Sequence, residues 1–293
     1  MKQMRANYTL LELCEALQLS TSGYYKWSRA QKLGPRELAN RTLLEEIRRI
    51  RADRHLRAYG SPRMARELQD RGLACSENRV ARLMAKEGLR ARGRRPFRPR
   101  TTQKDREAIP APNRLAQAPP ARAPGEALVG DITYVATREG WLYLAVVIDL
   151  YSRAVLGWKL SDSLESTIVL EALNDARRAC PRLPDNAIFH SDQGCQYTSG
   201  SFRRCLREHD LIQSMSAKGY CYDNAFAESF FATIKSEAFP DNGLFDSKAE
   251  ARRAIFDYLE TFYNHRRLHS SLNFNSPQTV FNNYFQNTNL NLN

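Results

Sequence analysis

Three acidic residues in the second half of the sequence stand where a charge is costly unless it has a partner. Asp131 interrupts the apolar stretch LVGDITYV, Asp192 directly follows the stretch AIFHS, and Glu228 lies within NAFAESFFATIKSE. A carboxylate inside or at the end of a buried strand needs a counter-charge or a metal ion. For any one of them alone, a turn cap or a salt bridge is the simpler interpretation. Taken together, they favour a shared cation.

Carboxylate oxygens are the ligands that Mg²⁺ and Mn²⁺ prefer in proteins. Two such ions about 3.5–4 Å apart can clamp a phosphodiester from both sides. One ion then activates a water or a 3′-hydroxyl, and the other stabilises the leaving oxygen. The hypothesis is that Asp131, Asp192 and Glu228 are both the catalytic residues and the ligands of two metal ions.

The elements that must position these carboxylates begin after Gly125. The nearly continuous apolar run WLYLAVVIDL predicts a central strand that is covered on both faces. Strands are predicted at 128–137, 141–150, 154–160, 186–191 and 212–215, and helices at 165–180, 202–210, 224–238 and 248–263. This order predicts an α/β fold, a mixed five-stranded sheet with flanking helices, over residues 126–285. The polar tail, residues 286–293, is expected to fray.

The first half of the chain is different in charge and in pattern. Residues 1–125 carry a net charge of +16 and residues 126–293 a net charge of −4. Residues 1–40 are predicted to be an N-terminal helical segment, 41–90 a helix-turn-helix domain, and 91–125 a basic, proline-rich linker. A basic half favours a nucleic-acid partner, although a highly charged solvated surface is the alternative.

One helix of the basic half carries a stripe of cations. Ser76 is its predicted N-cap and Gly88 its end. Arg79, Arg82 and Lys86 are spaced by three and four residues, so they share one face of this helix while its apolar residues share another. The pattern is typical of a helix that packs by one face and contacts DNA by the other. An ordinary amphipathic helix with a solvated basic face stays open.

Several protein classes are disfavoured by composition. No apolar run approaches the roughly 20 residues of a membrane span, and the first residues contain no apolar signal-peptide core. The six cysteines form no CxxC pair, which argues against a zinc finger and is typical of reduced thiols in a cytoplasmic protein.

The residues and the spacing of the motifs resemble those of one particular family. Between Asp192 and Glu228 lie 35 residues, flanked by HSDQG and by NAxxESFFxxxK. Together they resemble the DDE transposases of the retroviral-integrase superfamily, and among these the second-reading-frame product of IS-three family insertion sequences. The segment YGSPR, residues 59–63, resembles the family's helix-turn-helix before the core. The segment YNHRRLHSSLNFNSP, residues 263–277, resembles its closing motif.

The resemblance implies a ribonuclease H-like core with Mg²⁺ or Mn²⁺ at Asp131, Asp192 and Glu228. It implies nicking at an insertion-sequence end, after which the freed 3′-hydroxyl attacks a second phosphodiester. Lys235 lies seven residues after Glu228, on the same helix face, and is expected to reach a DNA phosphate close to the metals. The implied partners are double-stranded DNA, further copies of the chain on that DNA, and the upstream-frame product, fused or separate. The implied location is the bacterial nucleoid.

Some residues depart from the family pattern or have simpler interpretations. Leu128 and Gly130 stand where an aromatic and a hydroxyl residue are usual, and Ala217 and Tyr220 replace basic and small polar residues. Asp149 is interpreted as a turn residue rather than a metal ligand, and His190 as a histidine that packs or supports a metal ligand rather than a general base. For the basic cluster of Arg266, Arg267 and His269, DNA contact and compensation of a helix C-terminus are equally open.

Two other functions remain alternatives at this point. A junction resolvase of the same fold would cut without joining, although the helix-turn-helix and the closing motif argue against it. A DNA-binding regulator with an inactive core is the other, and the intact set of three carboxylates argues against that.

Overall fold

The computed structural model describes Met4 and residues 7–30, 34–91, 109–180, 183–216 and 225–290. The chain begins with two short helices, α1 (Leu10–Ala16) and α2 (Thr21–Ala30). A capping box fixes the start of α1, because the Thr9 side chain accepts from the Glu12 N–H while the Glu12 carboxylate accepts from the Thr9 N–H.

Three further helices make up the helix-turn-helix region: α3 (Pro35–Ala52), α4 (Ser61–Asp70) and α5 (Glu77–Lys86). Proline occupies the first turn of α3 and of α4, where no amide donor is needed. The Ser76 side chain accepts from the Arg79 N–H, and Gly88 follows α5 with a φ of +66°. The N-cap and stop signals predicted for α5 are therefore confirmed.

One mixed sheet forms the centre of the second half. Its strands are β1 (Ala127–Thr137), β2 (Gly140–Asp149), β3 (Val155–Ser161), β4 (Ile188–Ser191), β5 (Ile212–Met215) and the two-residue β6 (Leu244–Phe245). The order is β3-β2-β1-β4-β5, and β6 pairs with β1. The first three strands are antiparallel, whereas β4 and β5 run parallel to β1. The five predicted strands are all present, with the short β6 added.

Helices cover both faces of this sheet. They are α6 (Thr167–Ala179), α7 (Cys195–Thr198), α8 (Gly200–Glu208), α9 (Ala225–Glu237), α10 (Lys248–Asp257) and α11 (Pro277–Leu290). A π-helical turn, Tyr258–Tyr263, follows α10 directly. The expectation of a frayed tail from residue 286 is wrong as far as Leu290, because α11 continues to that residue. The helix is anchored through Phe281, which is buried, and Phe285, which packs on the same core.

Alternation along β2 places apolar side chains on both faces, as its continuous apolar run predicted. Leu144 and Val146 belong to the core on the side of α9 and α10, whereas Ala145 and Val147 belong to the core on the side of α6 and α8. A glycine in β3 allows α6 to come close. A Cβ on Gly157 would lie 2.1 Å from the Ala172 carbonyl oxygen and 2.4 Å from the Ala176 nitrogen.

The helix-turn-helix region and the sheet share one hydrophobic cluster. It extends from α3, α4 and α5 through Tyr59 and Phe262 to the inner residues of β1, β2, α9 and α10. Part of the predicted linker also lies on the core, since the N–H groups of Arg114 and Leu115 donate to the Ser214 hydroxyl at 3.0 and 3.1 Å. In the described ranges, no helix has the length and apolarity needed to cross a membrane.

Candidate active site

Asp131 lies within β1, and Asp192 directly follows β4, the parallel strand next to β1. The strands β1 and β4 pair up to Val129 and His190, and each aspartate lies two residues beyond that pair. Because side chains alternate along a strand, residues two apart share a face. The Asp131 side chain therefore shares a face of the sheet with Val129, and both aspartates are partly exposed to solvent.

Backbone donors hold each of these carboxylates. Oδ1 of Asp131 accepts from the Ile132 N–H at 2.8 Å, and Oδ1 of Asp192 accepts from the Gly194 N–H at 2.9 Å. Burial raises the pKa of Tyr197 well above its ordinary value, and the charges of Asp131 and Asp192 raise it further. One buried phenol on α7 therefore lies within the electrostatic reach of both aspartates.

The packing of Phe189 and Tyr197 explains why position 130 is a glycine. A Cβ at that position would lie 2.4 Å from Cζ of Phe189 and 3.3 Å from Cε1 of Tyr197. The aromatic rings of Phe189 and Tyr197 fill the space in which a side chain at position 130 would stand. Glycine therefore stands at position 130 in place of the usual hydroxyl residue because these two rings leave no room for a side chain beneath Asp131.

Helix α9 brings a cation to the same place. It packs on β1, and burial lowers the pKa of Lys235 while the Asp131 carboxylate acts against that shift. Lys235 therefore lies within electrostatic reach of Asp131, and its contact with a DNA phosphate stays a prediction. Glu228 is exposed in the first turn of α9, about 10 Å along the helix axis from Lys235.

The three predicted ligands do not meet in one cluster. Among the residues that the structure describes, no three His, Cys, Asp or Glu side chains lie close enough together to hold a metal ion. Asp131 and Asp192 both lie within electrostatic reach of Tyr197, but the three carboxylates do not form one group in the part of the chain that the structure describes. The donor chemistry still fits Mg²⁺ or Mn²⁺, because Asp131 and Asp192 offer carboxylate oxygens at a solvent-accessible edge.

Arg153 is a residue of this region that sequence reasoning passed over. It has a φ of +63° in the turn between β2 and β3, and its guanidinium lies 4.1 Å from the ring centroid of Phe226 in the first turn of α9. Its carbonyl oxygen accepts from the Tyr263 hydroxyl at 3.3 Å. A cation thus stacks on the helix turn that carries Glu228. The sequence signal was an arginine four residues after the aspartate that ends β2.

Asp149 and His190 have the structural roles expected of them. Oδ2 of the buried Asp149 accepts from the Ser152 N–H at 2.8 Å, and its Oδ1 accepts from the Gly125 N–H at 2.9 Å. Burial raises the pKa of Asp149, against the effect of these hydrogen bonds. His190 is fully buried, with Nδ1 2.8 Å from the Ser214 hydroxyl.

The three basic residues of the stripe on α5 differ in their exposure to solvent. Arg82 and Lys86 are exposed, whereas Arg79 is half-buried and its Nε donates to Oδ1 of Asn40 at 2.8 Å. Arg79 therefore joins α5 to α3. Of the three predicted DNA contacts, Arg82 and Lys86 keep their charged groups at the surface.

The basic residues Arg266, Arg267 and His269 also differ in their exposure and in their partners. Arg267 is 2% exposed and donates two hydrogen bonds to Glu237, the last residue of α9, so its charged group is buried and paired with a carboxylate. Arg266 is exposed and lies 3.5 Å from Asp53. Burial, together with the charges of Arg267, Arg63 and Arg153, lowers the pKa of His269 to about 4.

His269 predicts a pH-dependent stability. An unfolded histidine takes up a proton near pH 6.5, whereas the folded His269 stays neutral down to about pH 4. The unfolded state therefore binds more protons between these values, and the free energy of unfolding falls as the pH drops through this window. Between pH 7.5 and pH 5 we expect a loss of about 2 kcal/mol from this group, measured by urea unfolding. His269→Gln should remove that loss, while His265→Gln, at an exposed position, should retain it.

Comparison with known proteins identifies the family. The description "Integrase core domain" matches residues 121–221 and again 209–277, and "HTH-like domain" matches residues 37–97. The transposase InsF of insertion sequence IS3A from Escherichia coli K12 is 38% identical over 289 residues, which are 98% of this chain and 96% of InsF. The chain belongs to the IS3 family of transposases.

Other relatives agree with this assignment. The transposase of insertion sequence element IS904 from Lactococcus lactis is 37% identical over 83% of this transposase and 95% of its own length. Among solved structures, the HTLV-2 integrase catalytic core domain in complex with magnesium is similar at 16% identity with a TM-score of 0.41. That likeness covers 55% of this transposase and 99% of the integrase domain. The strand order and the flanking helices give the transposase a ribonuclease H-like core.

Proposed function

We propose that this transposase cuts and joins DNA at the ends of its element through divalent metal ions held by Asp131, Asp192 and Glu228. The observation that carries the proposal is the position of Asp131 within β1 and of Asp192 directly after the adjacent parallel strand β4, with both charges acting on the buried Tyr197. Bound Mg²⁺ or Mn²⁺, in two copies, supplies Lewis-acid activation of the attacking and leaving oxygens. Because the three carboxylates do not form one group among the described residues, the proposal requires them to come together when metal and DNA bind.

The residues of the chain have separate tasks in this mechanism. The backbone N–H groups of Ile132 and Gly194 orient the two aspartates by donating to one oxygen of each carboxylate. The ammonium of Lys235 beside Asp131 binds a phosphate of the DNA strand and so places the scissile bond at the carboxylates. Arg153, stacked on Phe226, adds a second positive charge at the first turn of α9.

The partners follow from the same chemistry. Joining requires two element ends held together, so we propose at least two copies of the chain on one DNA complex. We also propose that an upstream-frame product, fused or separate, completes recognition of the ends. A single small helix-turn-helix domain reads only a few base pairs.

The direct test uses a duplex that carries a labelled element end. The purified chain, alone and with the upstream-frame product, is incubated with Mg²⁺, Mn²⁺, Ca²⁺ or a chelator. The expected result is a nick that leaves a 3′-hydroxyl, followed by a joined product, with Mg²⁺ or Mn²⁺ only. Nicking that is never followed by joining would indicate a nuclease instead. Binding without any cleavage under all conditions would indicate a regulator.

The exposed cations of α5 predict salt-dependent DNA binding. Each phosphate contact releases counterions, so log K falls with log salt by about 0.9 per contact. Replacing Arg82 and Lys86 with alanine should lower duplex affinity and reduce that slope by up to about 2. Fluorescence anisotropy titrations at several salt concentrations measure both quantities.

The matched control is the double variant Arg178→Ala with Arg253→Ala, which removes the same charge from exposed positions of the core. It should change the slope less than the α5 variant does. Equal slopes for the two double variants would mean that α5 presents only a solvated face.

A further inference from the structure

Glu237, the last residue of α9, is a buried centre to which three elements contribute. It is 5% exposed, and Arg267 donates to its two oxygens at 2.7 Å each. The Tyr258 hydroxyl donates to Oε2 at 2.7 Å. Nη1 of Arg63, from α4 of the helix-turn-helix region, lies 3.6 Å from Oε1. The carboxylate at the end of α9 is thus shared between the catalytic core and the DNA-binding region.

A second polar contact crosses the same boundary. The Tyr59 ring is fully buried, and its hydroxyl oxygen accepts from the Leu268 N–H at 3.0 Å. The segments that resemble the family's helix-turn-helix and its closing motif therefore bond to each other. The guanidinium of Arg63 also lies over the Tyr59 ring, at 5.7 Å from the centroid.

His55 adds an aromatic and ionic contact beside these. Its ring stacks on Phe262 at 4.7 Å between centroids, and its Nε2 lies 2.6 Å from Oδ2 of Asp257. Arg54 pairs with the same Asp257, and Arg266 lies 3.5 Å from Asp53. We call the contact of residues 53–63 with residues 237 and 257–268 the interdomain joint.

The interdomain joint is connected to the candidate site by a single helix. Glu237 follows Lys235 by two residues and Glu228 by nine, all on α9. Apolar contacts alone tolerate sliding, whereas buried hydrogen bonds and ion pairs are satisfied in one relative placement. The placement of the helix-turn-helix region therefore fixes, and is fixed by, the end of the helix that carries the catalytic glutamate.

We propose that the interdomain joint sets the position at which DNA is cut relative to the site that α5 contacts, with Tyr59 and Arg63 as positioning residues. Duplex DNA advances about 3.4 Å per nucleotide, so a shift of that size between the two regions moves the nick by one nucleotide. The joint fixes the distance from α5 to Asp131 and Asp192 more closely than this. The inference rests on the proposed function for its substrate and reaction.

The test uses the double variant Tyr59→Phe with Arg63→Met. It removes the hydrogen bond of Tyr59 with Leu268 and the approach of Arg63 to Glu237, but it keeps the ring, the apolar stem, the pairing of Glu237 with Arg267 and the ion pairs of residues 53–55 with Asp257 and Arg266. The matched control is Arg66→Met, since Arg66 is on the same helix and pairs with Asp70 inside α4. Nick positions are mapped at nucleotide resolution on an end-labelled duplex. The wild type and the control should cut at one position, and the double variant should cut at two or more neighbouring positions, with the share at the original position reduced by at least half.

A second measurement does not depend on activity. Spin labels are introduced through a noncanonical amino acid at Ala85 on α5 and at Arg178 on α6, which are both exposed. The distance between the two labels is measured by pulsed electron paramagnetic resonance. A narrow distribution is expected for the wild type and a broader one for the double variant. A double variant that keeps the single nick position, or one that cuts nowhere but keeps the narrow distribution, would overturn the inference. If the wild type cuts nothing, the proposed function fails, while the distance measurement still decides whether the joint is fixed.

Discussion

Replacing Glu228 with glutamine is expected to lower metal-dependent strand cleavage and joining by at least about 100-fold, because metal stabilisation of the transition state is worth several kcal/mol. The amide keeps the size of the side chain but removes the charge that a divalent ion requires. Glu228 is exposed in the first turn of α9, so the fold should be unaffected. Cleavage of a labelled element end, measured with Mg²⁺ and with Mn²⁺, gives the rate, and anisotropy gives the duplex affinity, which should stay near the wild-type value.

The control for this variant is Glu171→Gln, an exposed carboxylate on α6 that pairs with Lys159. It makes the same chemical change away from Asp131 and Asp192. If the Glu228 variant joined ends at the wild-type rate, the assignment of the third ligand would be wrong. The equivalent changes at Asp131 and Asp192 test the other two ligands separately.

Replacing Glu237 with alanine is expected to cost about 3–5 kcal/mol of the free energy of unfolding. The side chain of its partner Arg267 is 3% exposed, so the change leaves a buried guanidinium without its carboxylate. The Tyr258 hydroxyl loses its acceptor in the same step. Urea unfolding followed by circular dichroism measures the effect.

Glu208→Ala provides the comparison, because Glu208 is exposed at the end of α8 and should change stability by less than about 0.5 kcal/mol. A Glu237 variant as stable as this control would show that the buried pair contributes little to the fold. Restoring stability with the double change of Glu237 and Arg267 to apolar residues would identify the unpaired charge as the cause.

Sequence reasoning reached the elements of the core because their patterns are local. The apolar run of β2 and the cap signals of α1 and α5 each depend on residues within a few positions of one another. The neighbourhood of Asp131 and Asp192 is not local, since it depends on β4 pairing with β1 across the intervening strands and α6. The resemblance to a known family, and not periodicity, supplied that juxtaposition.

Two interpretations could not be decided from local sequence. Arg267 stands between other basic residues, and the carboxylate that neutralises it is 30 positions away on α9. Arg79 fits the cation stripe by spacing, but Asn40 of α3 accepts its hydrogen bond. In both cases the partner comes from a different helix, so only the packed structure shows which charges remain available to DNA. The grouping of all three carboxylates as metal ligands stays a prediction.

The π-helical turn at Tyr258–Tyr263 makes the orientation of the residues after it depend on the number of residues in the turn. A π-helical turn acts as one extra residue within an α-helix, and the Arg267 N–H reaches back five positions to the Phe262 carbonyl at 2.9 Å. Deleting a single residue there would restore α-helical phase and rotate the residues after the turn by about 100°. Asn264 would lose both hydrogen bonds to Val155, and Arg267 would turn away from Glu237. A change in residue count alone, with every functional side chain retained, would therefore disconnect the closing segment from both halves of the protein.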